Sequence, residues 1–174
     1  MTRVASADSE AGSPAGEPGT ALTFRRATRA DLPRIVQMLA DDAIGATRES
    51  YADPLPDVYW EAFAQIDADP RQLLVVAEIG GVVVGTLQVT FIPYLTHRGS
   101  SRALIEGVRI DSSQRGGGVG RQMVAWAIEE ARQRGCQMVQ LTTDKRRTEA
   151  RRFYESLGFT STHEGMKLTL GAGS

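Results

Sequence analysis

A glycine-rich stretch, Gln114-Arg115-Gly116-Gly117-Gly118-Val119-Gly120, lies between a run of strand character and a run of helical periodicity, and no other segment constrains the fold as strongly. Upstream, Arg102 to Ile110 is rich in apolar and β-branched residues, the composition of a strand. Downstream, Met123, Val124, Ala127, Ile128 and Ala131 recur at helical spacing until Gly135 stops the run. A strand that passes through so short a connection into a helix lays that helix back on its own sheet, which predicts a layered α/β domain. The same junction turns unpaired N-H groups and the positive end of a helix dipole toward solvent, the surroundings a pyrophosphate needs. Glycines there serve either that close approach or only a flexible connection.

The rest of the chain extends the pattern. Leu22-Thr23-Phe24-Arg25-Arg26 reads as a strand, with Thr28 placed to cap a helix whose buried face is Leu32, Ile35, Val36 and Leu39. Val58, Tyr59, Ala62, Phe63 and Ile66 predict a second helix, closed by Asp69-Pro70. Leu73 to Ala77 and Val82 to Val89 flank Gly80-Gly81, the signature of a tight hairpin between central antiparallel strands. Met138, Val139 and Leu141 make a further strand, and Ala150, Phe153, Tyr154 and Leu157 a short helix ended by Gly158. A last strand pair is expected near Phe159 to Thr162 and Met166 to Leu170. Together these predict a mixed, mostly antiparallel sheet of about six to seven strands with helices on both faces. Residues 1–21 mix Gly and Pro with Ser, Ala and acidic residues and cannot bury enough apolar surface to order themselves. They are read as a flexible tail ahead of one domain over residues 22–171.

Charge and cysteine content narrow the function classes. The 20 basic and 21 acidic residues give a formal net charge of -1, so no global field draws the chain onto nucleic acid or an anionic membrane. With Cys136 as its one cysteine and His97 and His163 as its two histidines, the chain has no internal disulfide and no cysteine- or histidine-based metal cluster, and no metal is expected. The absence of a signal-length or membrane-length apolar run is read as a soluble, cytoplasmic protein.

Two motifs carry the chemistry. The loop lacks the Lys-Ser/Thr of a Walker loop and the spacing of a dinucleotide fingerprint; its pattern is Arg115-x-x-Gly118-x-Gly120. In that spelling, between strand and helix, it resembles the acetyl-CoA loop of the GNAT N-acetyltransferase superfamily. Ala150-Arg151-Arg152-Phe153-Tyr154-Glu155-Ser156-Leu157-Gly158-Phe159 resembles the second signature of the same family, in the expected order. The similarity runs from about Leu22 to Leu170, although only these two motifs are specific. One departure stands out: Arg147 occupies the place of a frequent family asparagine that bonds the pantetheine arm.

The resemblance implies a single-domain fold of that family and an acyl-CoA-dependent N-acyltransferase, with acetyl-CoA as donor and a small-molecule or protein amine as acceptor. By that resemblance Arg115, Gly116, Gly117, Gly118, Val119 and Gly120, with Arg121, bind pyrophosphate, while Val108, Arg109 and Ile110 pair with the pantetheine amides. Splaying of the strands beyond Val108 would make the acyl slot. Arg147, with Lys145 and Arg146, either reaches a cofactor phosphate or forms a solvated helix end. Tyr154 matches the tyrosine that protonates the departing thiolate, and a phenol with a pKa of about 10 holds its proton at neutral pH. Its alternative role is packing beside Phe153. Glu106 is placed to deprotonate the amine, directly or through water, or else to bind a cationic acceptor or sit on a solvated sheet face.

Three functions compete at this point. The first is acyl transfer; the second is a domain that senses acyl-CoA without catalysis; the third is a module for other phosphate ligands, in which the Tyr154 motif has no role. Tyr51, Tyr59, Trp60, Phe63 and Tyr94 can line an acceptor pocket, a dimer surface or the core. Because the family is often dimeric, a homodimer is compatible with the resemblance.

Overall fold

The computed structural model describes residues 21–41 and 48–170 of the 174-residue chain. The expected tail lies outside them except for Ala21. Strand β1 (Leu22–Arg26) leads through the turn Arg29–Asp31 into α1 (Leu32–Ala40), and α2 (Asp57–Ala68) follows. Thr28 starts this passage, its amide and hydroxyl both donating to Asp31 Oδ2, at 2.7 and 2.8 Å. Arg25 donates to the same carboxylate and to Glu78, each contact at 2.7 Å, which ties β1, the turn and β2 into one staple. The hydrogen bond from Arg25 leads in holding the buried Asp31 carboxyl down to about 2 from its ordinary 3.8, against the opposing effect of burial.

Strands β2 (Gln72–Ile79) and β3 (Val82–Pro93) form the hairpin expected at Gly80-Gly81. A single turn, α3 (Thr96–Gly99), then leads to β4 (Ser101–Ile110), which is followed by α4 (Val119–Gln133), β5 (Cys136–Leu141) and α5 (Thr148–Glu155). The sheet runs β1-β2-β3-β4-β5, antiparallel except for the parallel β4-β5 pair. Among the described residues it has five strands, not six to seven. Phe159 to Thr162 and Met166 to Leu170 form no strand, and residues 160–170 are exposed. Alternating apolar residues qualify a segment for a sheet, but its ladder bonds must come from a neighbour, and here none is offered.

Helices cover both faces, as expected. On one face Leu73, Val75, Ala77, Leu87, Val89, Ala103 and Ile105 pack against Met123, Val124, Ala127 and Ala131 of α4. On the other, Val76 and Val83 meet Leu32, Ile35 and Val36 of α1 and Phe63 of α2. Each large aliphatic side chain buried this way contributes about 1.5–3 kcal/mol. Among the described residues no helix is long and apolar enough to cross a membrane.

Candidate functional site

The site begins where β4 loses a neighbour. Its pairing with β5 runs from Ser101↔Cys136 to Ile105↔Leu141 and stops, while its pairing with β3 continues to Gly85↔Ile110. The splay therefore opens at Glu106, two residues earlier than the sequence indicated. A bulge lies at the same point: Thr86 pairs with Arg109 and Gln88 with Glu106, so Leu87 alone faces both Gly107 and Val108. Gly107 takes φ 61°, a conformation that glycine reaches without a Cβ penalty. The extra residue shifts the alternation, so that Val108 and Ile110 continue on the α4 face after Ile105. The carbonyls of Val108 and Ile110, in the half of β4 that β5 does not pair with, accept from Arg109 Nη1 at 2.8 Å and Arg115 Nε at 3.2 Å.

The glycine loop is set by Asp111, whose carboxylate accepts from the Ser113 amide at 2.9 Å and from the Ser113 hydroxyl. These bonds, followed by the contact from Arg34 of α1, hold the Asp111 carboxyl below the usual range. The chain then passes Gly116 (φ 83°) and enters α4 at Gly118 (φ 82°). A Cβ at either position would meet nothing within 4 Å, so backbone angle and not crowding calls for glycine. Gly117 N-H donates to Gln114 O at 3.3 Å, and the first helical bond runs from Gln122 N-H to Gly118 O. Among the described residues, the amides of Gly116, Gly118, Val119, Gly120 and Arg121 meet no acceptor. Five N-H groups at the positive end of a fifteen-residue helix make an anion cradle. The Arg115 guanidinium lies at its rim, also donating to Asp41 O, and Arg121 reaches across to the Ser156 hydroxyl at 2.8 Å.

Helix α5 brings Phe153 against this loop, where a Cβ on Gly120 would lie 3.6 Å from its ring, and Tyr154 follows it. The Tyr154 ring makes edge contacts with Phe153 and Phe159, at 5.1 and 5.9 Å between centroids. Burial pushes the phenol pKa up, and the nearby charges of Arg109 and Arg147 pull it partly back. The charges of Arg109 and Arg147, chosen separately from sequence, both act on Tyr154. The other two members of the basic run turn away, Arg146 to Asp144 at 2.7 Å and Lys145 to Glu164 at 3.6 Å. Ring packing and the charges of Arg109 and Arg147 coexist at Tyr154.

Glu106 stands on the opposite sheet face. It is exposed and pairs across β3 with Gln88, whose amide donates to Gln72 at 2.9 Å, with Thr90 donating to the same oxygen. At the end of this face, His97 and Arg98 of α3 take φ 53° and 61°, and the Tyr94 ring lies between His97 at 5.6 Å and the Arg102 guanidinium at 5.1 Å. Cys136 is half buried in β5, and burial raises its thiol. Of the expected aromatic lining, Phe63 is core and Tyr59 and Trp60 pack beside it. Tyr51 is exposed.

Three supporting residues escaped sequence reading. Arg34 joins α1 to the site through Val83 O at 3.3 Å and through Asp111. Asp111 itself was legible, since Asp-Ser-Ser after a strand is an Asx-turn signal. Gly85 was not: a Cβ there would sit 2.9 Å from Ile110 Cδ1 and 3.3 Å from Arg109 O, so its small size lets β3 approach the open half of β4.

Comparison with known proteins agrees with this geometry. Residues 35–159 match the acetyltransferase (GNAT) family model, and the chain belongs to that family. It is 32% identical over 103 residues to the aminoalkylphosphonate N-acetyltransferase of Salmonella typhimurium, covering 59% of this chain and 66% of the relative. It is 33% identical over 90 residues to the glucosamine 6-phosphate N-acetyltransferase of Trypanosoma brucei brucei, covering 52% and 59%. The chain thus spans just under two thirds of the first of these curated relatives and less of the second. A solved structure from Bacillus halodurans, described as a transcriptional regulator, is 55% identical with a TM-score of 0.84 and covers 86% of this chain and all of that one.

Proposed function

We propose that this chain transfers a small acyl group, acetyl in the simplest case, from acyl-CoA to a primary amine by direct attack while both are bound. The observation that supports this most is the row of five unbonded amides at the start of α4, beside the half of β4 that β5 leaves open. The cradle suits a pyrophosphate, and the open edge at Val108, Arg109 and Ile110 suits an amide-bearing arm. Arg109 and Arg115, which now hold the edge carbonyls, are placed to turn toward phosphate.

The donor thioester supplies an acyl carbon with a good leaving group. The chain's residues then manage two protons. Glu106, exposed at the splay, takes the proton of the attacking amine directly or through water as the new C-N bond forms. Tyr154, kept protonated by burial, gives its proton to sulfur as the C-S bond breaks. A small-molecule acceptor is supported by the names of the two curated relatives. Incubation with acetyl-CoA and a panel of aminoalkylphosphonates, amino sugars and lysine peptides should release free thiol and acetylate at least one acceptor. No thiol release with any of them would count against the proposal.

A non-catalytic acyl-CoA sensor is the second reading, favoured by the relative described as a transcriptional regulator. Tyr154→Phe separates the two. A transferase loses turnover and keeps CoA affinity, whereas a sensor has no turnover to lose.

A further inference from the structure

One face of β4 carries opposite charges at its two ends. Ala103 and Ile105 pack toward α4, so Arg102, Leu104 and Glu106 line up on the other face of the strand. Their partners on β3 are Ile92, Thr90 and Gln88, in unbroken register. Four residues along a strand set the guanidinium-bearing and carboxylate-bearing positions about 13 Å apart. Between them Gln72 Oε1 accepts from Gln88 Nε2 and Thr90 Oγ1, each at 2.9 Å, which makes the intervening floor polar.

Neither charge is neutralised by a described residue. Glu106 is exposed and forms no ion pair among the described residues. The Arg102 guanidinium lies 5.1 Å over the Tyr94 ring, no described carboxylate engages it, and its Nε is buried without a hydrogen-bond partner. The hydroxyl of Ser100, a residue only 7% exposed, is buried unbonded two positions earlier. A polar group buried in this way costs free energy that a bound ligand can recover. Arg98, exposed in the same turn as His97, adds a further positive charge to this end.

Taking the chain as a transferase, we propose that this face selects acceptors in which an extended spacer separates the reacting amine from an anionic group, carboxylate or phosphoryl. The amine lies at Glu106, where β4 parts from β5, and the anion lies on Arg102. An arginine stacked on an aromatic ring keeps the edge of its fork free, which suits the paired oxygens of either anion. Arg102 is then a specificity-determining residue, because a neutral acceptor of the same length leaves its charge unmet. The charges also fix direction: reversed binding would set the anion on Glu106 and the amine on Arg102, two like-charge contacts.

Initial rates of thiol release from acetyl-CoA test this, with ω-amino carboxylates of increasing chain length, ω-aminoalkyl phosphates, and uncharged ω-amino amides of the same lengths. At least one anionic series should exceed its matched amides in kcat/KM by about tenfold or more, with the advantage largest for the longer spacers. Arg102→Gln should reduce that ratio to less than about twofold. Should the variant fail to fold, the native chain decides: added salt should shrink the advantage of the anionic acceptors and leave the amides unchanged. Equal kcat/KM for anion and amide at every length, an advantage largest for the shortest spacers, or a ratio indifferent to Arg102→Gln and to salt would overturn the assignment while leaving acyl transfer in place. No thiol release with any acceptor would overturn both.

Discussion

The two halves of β4 share a strand and differ in what holds them. Ser101–Ile105 is paired on both sides, and Ala103 and Ile105 are fully buried against α4. From Glu106 to Ile110 only β3 remains, Gly107 bulges, and two carbonyls are held by arginine side chains. The first half spends its backbone on the fold, while the second keeps part of its backbone available. The glycine loop extends that second condition into α4, and together they form the candidate donor site.

Substitutions on either side of Ile105 should separate stability from function. The largest effect is expected at Tyr154→Phe, which should lower kcat by about 10²-fold or more with CoA affinity unchanged, since a positioned proton donor contributes about 10²–10⁴. In the unsubstituted protein, burial keeps the phenol protonated beyond the ordinary tyrosine range. The alkaline limb of kcat assigned to Tyr154 should therefore lie above pH 10, as a pH-rate profile would show.

Next is Ile105→Ala in the paired half, which should cost about 2–5 kcal/mol in urea unfolding through loss of packing. CoA affinity of the folded protein should hardly move. Gly118→Val should do the reverse: a β-branched residue at φ 82° costs on the order of 1–3 kcal/mol, paid at the cradle. CoA affinity, measured by calorimetry, should fall at least about fivefold, because a cradle forced from its left-handed start presents its amides differently.

The smallest expected effect lies away from β4, in the Arg25-Asp31 staple, and tells acid sensitivity of the fold from that of the site. Asp31 titrates at about 2 in the folded chain and at 3.8 ordinarily, so its contribution is full above 3.8 and is lost as pH falls toward 2. About 1–2 kcal/mol should disappear in that window, after allowance for the 37% exposure of Arg25. Asp31→Asn should flatten this part of the stability profile in denaturant titrations.

Legibility followed the same division. Strand runs, the Gly80-Gly81 hairpin and the faces of α1 and α4 were readable because side-chain periodicity records burial directly. The glycine loop was readable because Gly116 and Gly118 are demanded by their own backbone angles. Where the splay begins was not, since unpairing depends on where β5 ends, and Leu141 carries no mark of it. The action of Arg109 on Tyr154 joins β4 to α5 and has no local signature, whereas Arg147 caps the helix that carries Tyr154. The missing strands at Phe159 to Thr162 and Met166 to Leu170 show the converse, a correct periodicity without a neighbour. The polar group beside Glu106 stayed least readable, because Gln72, Gln88, Thr90 and Glu106 come together only across β2, β3 and β4.

Hydrogen exchange of the full chain with and without CoA tests the division of β4 most directly. Added CoA should slow exchange at 108–110, at Gly116 and at 118–121, and leave 101–105 unchanged. Unchanged exchange over 108–121, with protection arising instead over α1 and α2, would contradict the assignment of the open half of β4 as the donor site.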